Sequence, residues 1–180
     1  MQYVALLRGI NVGGNSKVEM KRLKEVFEHA DMEDVRTYIN SGNVLFTHVQ
    51  ADTHTLTTTL EADIEKEFGF SVPVLVKSHQ ELRQAVEAIE NDWRNDSTMK
   101  CDVLFAWESL ATDTLIAQLK PREGIDEVRT APGAVIWKVD RENATRSGLL
   151  KIMGTPAYRQ VTVRNCNTAR KLLAMMEETK

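Results

Sequence analysis

The residues best equipped to hold a ligand fall in three short stretches of the chain. The first is the loop Arg8-Gly9-Ile10-Asn11-Val12-Gly13-Gly14-Asn15-Ser16-Lys17. Its glycines permit positive φ and close backbone approach, and the helix expected after it opens with N–H groups that no helical carbonyl takes up. Arg8 adds a planar fork of donors and Lys17 a point charge. Together these suit a phosphate or a carboxylate. The glycine spacing is neither that of a dinucleotide fingerprint nor that of a P-loop, which also ends in Gly-Lys-Ser/Thr. A plain structural reading stands beside this one: a turn that needs glycine and asparagine only for its path.

The second stretch is Asn40-Ser41-Gly42-Asn43. Ser41 has no histidine or carboxylate beside it to act as base, and no glycine two positions earlier to make a nucleophile elbow. Asn40 and Asn43 read better as hydrogen-bonding groups, with turn chemistry as the alternative. The expected ligand set is therefore Arg8, Asn11, Gly13, Gly14, Lys17, Asn40, Ser41 and Asn43. Arg8 would hold the anion, the glycines would present N–H groups, and the asparagines would orient it. The third stretch is basic. Residues 138–171 carry eight Lys or Arg against Asp140 and Glu142, and Arg164, Asn165, Arg170 and Lys171 cluster at its end as a secondary patch for an anionic partner.

Other chemistries find less support. His29, His48, His54 and His79 show no metal-binding spacing, so neither metal nor cofactor is expected. Cys101 and Cys166 are too few for a disulfide framework and imply a reducing cytoplasm. Cys166, near Arg164 and Arg170, is also a candidate for a stabilised thiolate. No general acid–base pair is named, because the sequence sets no two titratable groups side by side.

These residues need a scaffold, and hydrophobic periodicity supplies one. Residues 2–7 read as a strand, Ser16 and Glu19 as a capping box before a helix bearing Leu23, Val26 and Phe27, and 35–39 and 44–49 as a hairpin. Leu56, Leu60, Ile64 and Phe68 mark a second helix, 72–76 a strand, and Ser78 with Glu81 a second capping box opening a third helix. After the polar stretch 91–100 the order restarts. Strand 101–107, a helix from Thr112, strands 128–130 and 134–139 about Pro132-Gly133, a weaker helix with Leu149, Leu150 and Met153, strand 160–164 and a final helix complete it. Val35-Arg36-Thr37 and Val128-Arg129-Thr130 precede the two hairpins. The expected fold is α+β, a tandem duplication of a ferredoxin-like (βαββαβ) unit with an extra C-terminal helix on each copy, divided as 1–95 and 96–180. In such a unit the first two strands run parallel. The 8–17 loop and the 40–43 hairpin must then converge at one sheet edge, where function tends to sit.

Composition excludes rather than assigns. Across 180 residues the formal charge is −3, which disfavours wholesale nucleic-acid binding, and the hairpin strands lack the aromatics of an RNA-recognition module. The charge is uneven, with a net −5 over 1–95 and +2 over 96–180. Apolar runs are too short for a membrane span or signal peptide.

Residues 3–14 (Tyr-Val-Ala-Leu-Leu-Arg-Gly-Ile-Asn-Val-Gly-Gly) and 35–46 (Val-Arg-Thr-Tyr-Ile-Asn-Ser-Gly-Asn-Val-Leu-Phe) closely resemble the bacterial domain-of-unknown-function family 1697. Residues 162–172 are similar to its closing motif. The resemblance implies that Trp is usual where this chain has Cys166, and that Pro often stands at Glu19. It implies kinship without an activity. The leading expectation is a cytoplasmic protein that binds a small anionic ligand between residues 8–17 and 40–43, and whether it is also an enzyme stays open. The alternative is a protein or nucleic-acid interaction module using the basic 138–171 stretch, with pairing of sheet edges between chains as a third reading.

Overall fold

The computed structural model describes residues 1–14, 16–50, 52–107, 112–152 and 154–178. The N-terminal elements are β1 (Gln2–Leu7), α1 (Met20–His29), β2 (Glu33–Tyr38), β3 (Asn43–Thr47), α2 (Thr53–Phe68) and β4 (Val74–Ser78). They build an antiparallel sheet in the order β2-β3-β1-β4. Alternate residues of its strands, Tyr3, Ala5, Val44, Phe46, Val74 and Val76, face Leu23, Phe27, Leu60 and Ile64 of the helices, and all are buried. Two-residue alternation on strands against four-residue spacing on helices produces this layer.

The helix ends differ in how they are closed. α2 starts on Asp52, whose carboxylate accepts the N–H groups of His54 and Thr55, and ends on Gly69 in the left-handed region. α1 has no such cap. The Ser16–Glu19 capping box does not form: Glu19 occupies the cap position without a side-chain hydrogen bond, and Ser16 lies within the loop at φ +51°. There its carbonyl accepts the Asn11 N–H.

After α3 (His79–Glu87), the second set comprises β5 (Met99–Ala106), α4 (Thr112–Leu119), β6 (Asp126–Ala131), β7 (Ala134–Asp140), β8 (Val161–Asn165) and α5 (Cys166–Glu177). Its sheet order, β6-β7-β5-β8, repeats the first. The register repeats as well. Leu7 N–H donates to Gly42 O at 2.8 Å and Ala106 N–H to Gly133 O at 2.9 Å; Ala5 pairs with Val44 and Val76, and Leu104 with Val135 and Val163. Two similar units of this kind are consistent with a tandem duplication. By packing, one compact unit is Met1–Gln80 with Glu178 and the other Glu81–Glu177. α3 from Glu81 onward and the polar 91–100 stretch therefore lie in the second unit, ahead of the expected 95/96 boundary. Ion pairs Arg83–Glu177 at 2.9 Å and Glu90–Arg129 at 2.7 Å hold that segment there.

One expected helix is absent among the described residues. Between β7 and β8 the chain forms 3-10 turns at Arg141–Arg146, Gly148–Ile152 and Ala157–Gln160; Met153 is outside the described residues. Gly148 lets the turn pass close to the end of α4, where a Cβ would lie 2.4 Å from the Lys120 carbonyl oxygen. Gly154 and Pro156 break helical continuity between the second and third of these turns. Among the described residues, no helix is long and apolar enough to cross a membrane.

Candidate functional site

The loop after β1 and the β2–β3 hairpin do meet. Asn11 is the joint. Its side-chain amide donates to Asn40 O at 2.9 Å and to Val18 O at 3.0 Å, while its oxygen accepts the Val18 N–H at 2.9 Å. Asn11 itself sits at φ +56°, a conformation asparagine tolerates better than most residues. Below it, Ile10 is buried and touches the hairpin, where a Cβ on Gly42 would come within 2.7 Å of Leu7 Cβ and 2.9 Å of Ile10 Cδ1. Asn43 is fully buried, its amide bonded to Tyr38 O at 3.1 Å and Ser41 Oγ at 2.9 Å. Asn11, Ser41 and Asn43 are thus engaged in holding the frame together.

What the frame leaves open is a shallow groove of about 690 Å³, with Gly14, Lys17, Glu19, Lys21 and Asn40 on its walls. Lys17, Lys21 and Asn40 line it at the surface, and all three are exposed. The amino end of α1 forms one side, with no acidic residue in its first turn. Backbone N–H groups at a helix start, together with two ammonium groups, give this side a positive potential, tempered by Glu19. Arg8 is not among the groove walls, and its backbone N–H bonds to Pro73 O at 2.9 Å. Gly13 is exposed at φ +62° and is likewise outside the walls.

The C-terminal basic cluster is dispersed by the fold. Arg164 is 8% exposed, with its guanidinium on Thr162 Oγ1 and Val163 O, and burial lowers its pKa to about 10. Asn165 accepts the Thr168 N–H at 2.9 Å at the start of α5. Arg170 donates to the carbonyls of Trp93 and Glu90. Of the four, Lys171 alone is exposed. Burial of Arg164 removes it from any surface patch.

Two features went unread in the sequence, the juxtaposition of Cys101 with Cys166 and the burial of Asp102. Cys101 and Cys166 lie one step along from the Asp102–Asn165 pair of the β5–β8 ladder, and both are buried free thiols. Their mutual hydrogen bond, together with burial, pushes Cys101 up, while the same bond and Arg170 favour thiolate on Cys166. Asp102 is the second feature, a carboxylate 9% exposed on β5 and pushed up by burial against the pull of Lys100. A lone charge among Cys101–Trp107 was the signal that could have marked it.

Residues 1–137 match the family model described as "Protein of unknown function (DUF1697)". The chain belongs to that family. The matched region takes in the groove but not the 162–172 motif. A solved structure described as a conserved bacterial protein from Streptococcus pneumoniae is 28% identical, with a TM-score of 0.83 over 97% of this chain and 98% of that one. Among curated proteins nothing matches. Neither description names an activity.

Proposed function

We propose that this is a cytoplasmic binding protein whose first unit takes a small anion, a phosphate- or carboxylate-bearing metabolite, in the groove beside α1. One observation carries the reading: the uncapped amino end of α1 opens into a groove walled by Lys17, Lys21 and Asn40. A helix start without a capping side chain or acidic first turn favours an incoming anion, and the two lysines add attraction that salt screens. Asn40 supplies directional donors, since its backbone carbonyl rather than its side chain is the acceptor for Asn11. Gly14, at φ +82°, keeps the loop backbone free of a side chain at the rim. Glu19 limits the charge the groove accepts, so a single phosphate or carboxylate suits it better than a polyphosphate. The cytoplasmic part of the proposal rests on the low cysteine content.

Isothermal titration with inorganic phosphate, a sugar phosphate, a mononucleotide and a dicarboxylate tests the reading. At least one should bind saturably, more weakly as salt rises. Lys17→Ala with Lys21→Ala should weaken that binding by about tenfold or more. Absence of saturable binding across the panel, or unchanged affinity in the double variant, would overturn it.

A further inference from the structure

The repeated register allows the two units to be compared position by position. Tyr3 pairs with Phe46 on one side and Ser78 on the other; Asp102 pairs with Trp137 and Asn165 at the corresponding points. Asp102 thus occupies the place in the second sheet that Tyr3 occupies in the first. In the first unit that place is filled. The Tyr3 ring is 1% exposed and stacks on Phe46 at 5.4 Å between centroids, its hydroxyl donating to Gln50 O at 2.6 Å. α2 packs over the same face of the sheet, with Leu56, Leu60 and Ile64 in the common core. In the second unit the aromatic ring is replaced by a carboxylate, and 3-10 turns stand where α2 would be. A pocket of about 210 Å³ remains, walled by Val139, Leu149, Ile152, Tyr158 and Val163, with Asp102 and Lys100 also lining it.

We infer that this pocket binds a small ring compound carrying an O–H or N–H donor, its ring among Val139, Leu149, Ile152 and Val163 and its donor on the Asp102 carboxylate. Tyr3 shows what that place in the sheet accommodates: one aromatic ring with one hydroxyl. The volume agrees, being larger than the apolar cavities of about 150 Å³ that take up benzene and smaller than the roughly 300 Å³ at which drug-sized pockets begin. The polar end is also specific. An ionised carboxylate only accepts hydrogen bonds, and Lys100 Nζ at 3.5 Å already offsets its charge, so a neutral donor fits better than a second cation. Ser147 is not free to serve, because its hydroxyl donates to Asp126 and accepts from Leu149 N–H. Burial is costly to a charged carboxylate, and a ligand donor would add a hydrogen bond to the ion pair that Asp102 already makes with Lys100. The pocket and the anion groove share no residue, so failure of either leaves the other standing.

The test uses the full chain and two probes, p-cresol and toluene, which differ by the donor. In NMR titrations p-cresol should bind saturably and shift the methyl resonances of Val139 and Val163, with toluene about tenfold weaker. Asp102→Leu should abolish that preference while still admitting toluene, and Val163→Phe should close the pocket to both probes. Should Asp102→Leu fail to fold, Asp102→Asn, which keeps the volume and loses the charge, should show a reduced preference for p-cresol. Saturable shifts absent in the wild type, equal affinity for the two probes, or a preference for p-cresol that survives in Asp102→Leu would each overturn the inference.

Discussion

Asn11 and Asn40 are the same residue type at the same site, and their partners divide their roles. Asn11 spends donors and acceptor on the backbone of Val18 and Asn40, whereas the Asn40 side chain stands exposed at the groove wall. Asn11→Ala should cost about 1–3 kcal/mol in urea unfolding, because it leaves the part-buried N–H and carbonyl of Val18 without their partner at the loop–hairpin joint. Asn40→Ala should leave the unfolding midpoint within about 0.5 kcal/mol and act on anion binding instead. Equal losses of stability in the two variants would contradict this division. The convergence of loop and hairpin was legible in the sequence, because parallel first and second strands force it. Which asparagine would be consumed as a brace was not: residue type gives donor and acceptor capacity, and only the fold assigns the partners. Charge alone makes Arg8 the expected holder of the anion, yet it is not among the groove walls.

Among the elements, the β7–β8 connection shows where periodicity stops informing. Of the apolar positions expected on a helix there, Leu149 is buried but Leu150 is exposed, and Ile152 is buried instead, because a 3-10 turn brings a different set of positions to the core than an α-helix does. The conformation is set by Asp126 at the start of β6. Its carboxylate accepts from Ser147 Oγ, the N–H groups of Gly148 and Arg122 at 2.8 Å each, and Trp137 Nε1 at 3.0 Å. Burial works against its ionisation, and the hydrogen bonds from Ser147, Arg122, Gly148 and Trp137 outweigh it, holding the carboxyl below its usual range. A folded pKa depressed below the unfolded one means stability that is complete above about pH 3.9 and lost as pH falls through the lower, folded value. Asp126→Ala should therefore cost about 2–4 kcal/mol at neutral pH, with the gap to wild type narrowing only below about pH 3.9. Unfolding free energies measured from about pH 7 down to about pH 2.5 check this, and a gap that widens toward acid would refute it. The same variant loosens the turns over the Asp102 pocket, since Ser147 and Gly148 lose their anchor.

At the scale of the whole chain, the duplication was readable because element order and the Val-Arg-Thr repeat survive in sequence, and the ladders agree: Arg36 opposes Leu45 as Arg129 opposes Ile136. What could not be read was how the copies had diverged. The substitution of Asp102 for Tyr3 becomes visible only once strand register sets the two residues at one point, because the strands otherwise share little sequence. Divergence of this kind leaves each unit with its own opening. Groove residues fall between 11 and 40, pocket residues between 100 and 163, and each set belongs to a single compact unit. Linkage between two ligands requires an element with two arrangements that both sites bias, and no groove residue is also a pocket residue. Phosphate titrated in the presence of saturating p-cresol should accordingly bind within about twofold of its affinity alone, a coupling well below the range of 5- to 150-fold, roughly, that marks allosteric pairs. The reciprocal titration must give the same factor, because coupling free energy is symmetric. Val163→Phe should leave phosphate binding as it was, and Lys17→Ala with Lys21→Ala should leave p-cresol binding as it was. A reciprocal factor above about fivefold would mean that the two units transmit a shared conformational change, and that the duplicated halves work as one device rather than as two.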